Sequence, residues 1–139
     1  MKPNLDWLLR HVVERVSYND ESQQWFLVIS DDIYLSVECP WQILTEQRVV
    51  LASGDHGQKY GLPAPIDASA KAMELLAGQA IRRISVDEVS ADLYIEFDDA
   101  VTMRTFNDSS GYEAWNLTGP HGDRYIAQGG GNVVFLPAE

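Results

Sequence analysis

The feature that most constrains the fold is an internal echo. The stretch Gly78 to Phe106, GQAIRRISVDEVSADLYIEFDDAVTMRTF, lies over Arg10 to Glu38, RHVVERVSYNDESQQWFLVISDDIYLSVE, when moved back by 68 positions. Val13 then meets Ile81, Val16 meets Ile84, Trp25 meets Leu93, Leu27 meets Ile95, Ile29 meets Phe97, Ile33 meets Val101 and Leu35 meets Met103. A slip of one residue turns a strand's faces inside out, so agreement of faces carries more weight than identity. Identities are few: Leu8 with Leu76, Arg15 with Arg83, Ser17 with Ser85, Ser22 with Ser90 and Asp31 with Asp99. Beyond the hairpin, Trp41-x-Ile43 matches Trp115-x-Leu117, and Arg48-Val49-Val50 matches Arg124-Tyr125-Ile126.

The pattern predicts an α+β fold, mainly antiparallel sheet, built from two pseudo-repeated halves that share one core. Each half is expected to be a short helix followed by about five strands. The first repeat runs approximately over residues 4–54, residues 55–66 link, and the second repeat covers 67–136, all within a single domain at 1–139. A chain of 139 residues is long enough for one core.

In chain order, Asn4 is expected to cap a helix ending near Arg10, and residues 12–18 form a strand. Trp25 to Ile29 is apolar on both faces and reads as a central strand. Asp31-Asp32 turns the chain into a half-buried strand, Ile33 to Val37. Pro40 interrupts before Trp41, and Arg48 to Ala52 is another strand. Asp67 caps a helix over Ala68 to Ala77. In the second copy Leu93, Ile95 and Phe97 point inward, Asp92, Tyr94 and Glu96 outward, and Asp98-Asp99 turns the chain. Strands follow at Tyr112 to Leu117, Arg124 to Gln128 and Asn132 to Leu136, with Gly129 to Gly131 read as a flexible hinge.

Charge narrows the function classes. The net charge is −11, with −4 over residues 1–66 (five basic, nine acidic) and −7 over 67–139 (five basic, twelve acidic). Such a chain repels phosphate backbones, so nucleic acid is not an expected partner. The same field draws a protein partner with a basic surface. No apolar run approaches the ~20 residues of a membrane span, and the N-terminus lacks a signal-peptide core, so the expected location is cytoplasmic. The single Cys39 forms no internal disulfide.

Residue chemistry points away from an enzyme. Cys39 stands between Glu38 and Pro40, without a base to activate it. Asp55-His56 and His121-x-Asp123 lack metal-site spacing. Gly119-Pro120-His121-Gly122 lacks the Lys-Ser/Thr of a phosphate loop, and Gly129 to Gly131 precedes a strand, so no cofactor is expected. Asp31, Asp32, Asp98 and Asp99 suit turn geometry. What remains is an acidic surface with interleaved aromatics: Asp87, Glu88, Asp92, Tyr94, Glu96, Tyr112 and Glu113, the candidate partner-binding residues. Two further readings are self-association through an exposed sheet edge, giving a homodimer, and a small-molecule groove between the halves walled by Trp41, Trp115 and Tyr60.

The motif L-x-G-Q-x-I-x-x-I at Leu76 to Ile84, the hairpin LYIEFDD at Leu93 to Asp99 and YEAWNLTGPHG at Tyr112 to Gly122 resemble a module of small bacterial proteins of unassigned function. Some of these are similar to immunity proteins of bacterial toxin systems. The resemblance covers residues 74–131. It implies a non-enzymatic bacterial protein that neutralises a basic toxin domain by occluding its active cleft.

Overall fold

The computed structural model describes residues 2–139. Among the described residues, eleven strands form two antiparallel sheets, and one α-helix accompanies them. The strands are β1 (Val13–Asn19), β2 (Gln24–Ile29), β3 (Ile33–Val37), β4 (Trp41–Thr45), β5 (Arg48–Ala52), β6 (Ile81–Val86), β7 (Leu93–Phe97), β8 (Val101–Thr105), β9 (Trp115–Thr118), β10 (Arg124–Ala127) and β11 (Val133–Leu136). The helix α1 is Ala68–Leu76. One sheet has the order β1-β2-β3-β9-β10-β11 and the other β5-β4-β8-β7-β6.

Neither sheet is a contiguous half of the chain. After β3 the chain leaves the first sheet, builds β4 and β5 into the second, and returns only with β9. The joins are the antiparallel pairs β3 with β9 (Leu35 opposite Leu117) and β4 with β8 (Ile43 opposite Met103). Alternation gives each sheet an apolar inner face: Trp25, Leu27, Ile29, Leu35 and Leu117 from the first, and Ile43, Leu93, Ile95, Phe97 and Met103 from the second, all within one buried cluster.

Backbone features recur 68 residues apart. A bulge falls between Val13 and Arg15 and again between Ile81 and Arg83. Left-handed residues pair as Arg10 with Gly78, Gln23 with Ala91, Asp31 with Asp99 and Asp32 with Ala100. Arg10 N–H donates to the Ile81 carbonyl while Gly78 N–H donates to that of Val13, both at 2.8 Å. Between these, Val12 bridges Ala80.

The expected helices fare differently. Asp67 caps α1, its carboxylate accepting from Ala70 N–H at 3.1 Å, and α1 buries Ala68, Ala72 and Leu76. The helix expected near Asn4 to Arg10 is instead a 3-10 turn at Asp6–Leu8. Asn4 Oδ1 accepts from Asp6 N–H, closing a tight local turn, and so short a segment cannot offset the cost of helix nucleation. Among the described residues, the α-helix therefore has no α-helical counterpart in the first half.

Two loop readings also change. The second hairpin turns on Asp99 and Ala100 (φ 61° and 58°) rather than on Asp98-Asp99. Gly129–Gly131 is a packed 3-10 turn rather than a flexible hinge, with Gly130 and Gly131 at positive φ. Ala100 is exposed and left-handed, and Asp-Gly is favoured in such hairpin turns. Ala100→Gly is thus expected to stabilise by up to about 1 kcal/mol, read as a higher urea midpoint at unchanged slope.

Candidate functional site

Alternation along β7 turns Tyr94 and Glu96 out of the core. Register then fixes their neighbours: Tyr94 lies opposite Ser85 on β6 and Arg104 on β8, and Glu96 opposite Arg83 and Thr102. Arg104 donates from Nε and Nη2 to Gln42 Oε1 at 3.1 and 2.9 Å, and its guanidinium sits 5.4 Å from the Phe106 ring centre. Glu96 Oε2 is 3.4 Å from Arg83 Nε, an ion pair without hydrogen-bond geometry. The outer face of this sheet therefore alternates charge rather than carrying acid alone.

The loop between β6 and β7 supplies three more of the expected acids. Asp87 Oδ1 accepts from Val89 and Ser90 N–H at 2.8 and 3.0 Å, and these bonds, that from Ser90 foremost, hold its carboxyl below the usual carboxylate range. Asp92 is half-buried and accepts from Asn107 N–H at 2.6 Å. Both carboxylates thus order their loops, while Glu88 is exposed. Asp87, Glu88, Asp92 and Tyr94 line one shallow depression together with Lys2 and Arg104. Glu96 joins Tyr94 in a second, beside Arg82 and Arg104.

Tyr112 and Glu113 line neither of these. They share a depression with Ser22, Gln23, Glu38 and Asp108. Glu113 and Glu38 also border the outer face of the six-stranded sheet, with Tyr34 and Arg124. The candidate residues therefore form two groups. Sequence reasoning missed Tyr34 and Glu38 as companions of the second, although the alternation of β3 already turns Tyr34 outward, where it is 45% exposed.

The groove expected between the halves is not walled as predicted. Trp41 and Trp115 are buried in the core, on the inner faces of β4 and β9, and Tyr60 is 67% exposed in a loop. Trp41 packs edge-on to Trp25 at 4.9 Å, and Trp25 in turn meets Tyr18 and His56 at 4.2 and 5.5 Å. Trp115 Nε1 donates to the Ala91 carbonyl at 2.8 Å.

The remaining reactive side chains have local work. His56 Nδ1 accepts from Ala68 N–H at 3.0 Å, at the start of α1. Asp55 accepts from Ala52 N–H and from the Tyr60 hydroxyl, both at 2.9 Å. Asp123 accepts from Ala138 N–H at 2.7 Å. Burial pushes the Cys39 thiol up to about 11, so it carries almost no thiolate at neutral pH.

Among the described residues no helix is long and apolar enough to cross a membrane. A family model described as a family of unknown function matches residues 4–137. No curated protein and no solved structure matches the chain.

Proposed function

The chain belongs to DUF6188, a family of unknown function, and for this member we propose a non-enzymatic role: an immunity protein that binds a basic toxin domain in the bacterial cytoplasm and covers its active cleft. The observation that carries the reading is the combination of a net charge of −11 with exposed tyrosines set among carboxylates on a two-sheet body. Tyr94 is 41% exposed in a depression where Asp87, Glu88 and Asp92 outnumber Lys2 and Arg104, and Tyr112 is 83% exposed beside Glu113 and Asp108. Charge steers the encounter, and a tyrosine anchors it because its large ring loses little freedom on binding. The resemblance of residues 74–131 to a module of small bacterial proteins, some of them similar to immunity proteins, points the same way.

The proposal extends to how the body is built. The chain is one unit used twice, with the closing hairpin of each copy, β4-β5 and β9-β10, added to the sheet of the other. The recurrence of bulges, left-handed residues and crossing hydrogen bonds at an offset of 68 supports this reading, as does the mirrored strand order.

The first expected result is a gene for a basic toxic domain beside the gene for this chain, and the test uses that domain. Co-expression is expected to protect cells, and the association rate should fall roughly tenfold or more between about 50 and about 500 mM salt. Tyr94→Ala and Tyr112→Ala are expected to speed dissociation. Failure to protect, or association indifferent to salt, overturns the reading.

A further inference from the structure

We propose that the free edge of β11 pairs with the same strand of a second copy of this chain, joining two six-stranded sheets into one. An outer strand presents unpaired N–H and C=O groups, and proteins block such edges with bulges, charges or covering elements. The outer strands here are β1, β5, β6 and β11. Helix α1 covers β1, where Val16 N–H reaches Met73 Sδ at 3.4 Å. Strand β6 carries a bulge with Arg82 and Arg83 exposed. Strand β5 carries a register shift and Arg48. Strand β11 has none of these: its register with β10 is unbroken from Ala127 opposite Val133 to Arg124 opposite Leu136.

The ladder dictates which groups are free. Gln128 N–H donates to the Asn132 carbonyl at 2.7 Å, and antiparallel bonding alternates with a period of two residues. The main-chain groups of Val134 and Leu136 therefore face β10, and those of Val133 and Phe135 face outward. An antiparallel copy centred on Val134 sets Val133 opposite the second copy's Phe135, and the reverse. The outward N–H and C=O groups of Val133 and Phe135 then all have partners.

Charge selects a second copy as the occupant. Copies with a net charge of −11 repel each other, but Asn132 to Ala138 contains no charged residue, so the paired strands themselves set no like charges opposite one another. The same neutrality leaves nothing on the edge to select a basic partner. Phe135 and Leu136, 48% and 43% exposed, supply apolar surface that pairing covers. So short a ladder buries less than the ~1,200 Å² of a standard interface, which makes the dimer weak and dependent on concentration.

Sedimentation of the full chain from about 1 μM to about 1 mM is expected to pass from monomer to dimer, with added salt favouring the dimer by screening repulsion. Salt thus acts here in the opposite sense to its action on toxin association, so failure of one reading is distinguishable from failure of the other. Phe135→Pro deletes an outward N–H without touching a bond to β10, and Leu136→Lys places a charge on the edge. Each should weaken the dimer by about tenfold or more, whereas Val49→Lys on β5 should leave it unchanged. Should Phe135→Pro lose its far-ultraviolet circular dichroism, Leu136→Lys decides. A monomer throughout the range, a dimer indifferent to Leu136→Lys, or a dimer lost in Val49→Lys overturns the proposal.

Discussion

Gly131→Ala is expected to destabilise the protein by about 3 kcal/mol or more, near the upper end of what overpacking costs. Gly131 has φ 107°, outside the conformations open to alanine at low cost. A Cβ there would also overlap the backbone carbonyl of Val89, which cannot rotate aside as a side chain can. The neighbouring turn offers the control. Gly130 has φ 87°, but a Cβ on it meets nothing nearer than the Ser110 carbonyl oxygen at 3.8 Å. Gly130→Ala therefore bears only the backbone term, about 1 kcal/mol. Thermal melts should place Gly131→Ala several degrees below Gly130→Ala, at about 3 °C per kcal/mol for a chain this size. Equal melting points would show that Gly131 does not approach Val89 closely.

Trp115→Ala is expected to cost about 3–5 kcal/mol, the usual range for emptying a buried indole site. Trp115 is fully buried on β9, the strand that joins the two parts of the six-stranded sheet. Its hydrogen bond can be separated from its volume. Trp115→Phe keeps much of the packing but strands the Ala91 carbonyl, which Nε1 meets at 2.8 Å, adding about 1–3 kcal/mol. Trp41 is equally buried, yet its Nε1 has no hydrogen-bond partner. Trp41→Phe should therefore be the milder change by that difference, measured as urea midpoints of the two variants. The reverse order would assign no weight to the bond with Ala91.

The hairpins were legible because alternation has a period of two, and one buried face fixes it. Leu93, Ile95 and Phe97 point inward as their spacing demands, and Asp67 starts α1 where its side chain can accept a hydrogen bond. Pairing across distant segments was not legible. Nothing local in Ile33 to Val37 says that its second neighbour lies at Trp115, since that choice depends on where the whole chain turns. The site suffered from the same limit. Period two turned Tyr94 and Glu96 outward correctly, but Arg83 and Arg104 reach them only through cross-strand register, so the face read as more acidic than it is. Trp41 and Trp115 suit a groove wall by side-chain type alone, whereas their places on inner faces make them core. The composition of Gly129–Gly131 suggests flexibility, although glycine serves close backbone contact as readily as freedom.

The way the chain crosses between its two sheets bears on biogenesis. While the ribosome is still extending the chain, β3 has no neighbour on its far side until β9 emerges, and β4 waits likewise for β8. Native structure therefore cannot be completed segment by segment as the polypeptide leaves the exit tunnel. Nascent molecules carry open strand borders until nearly the whole length is translated, an interval in which holdase chaperones have the most to protect.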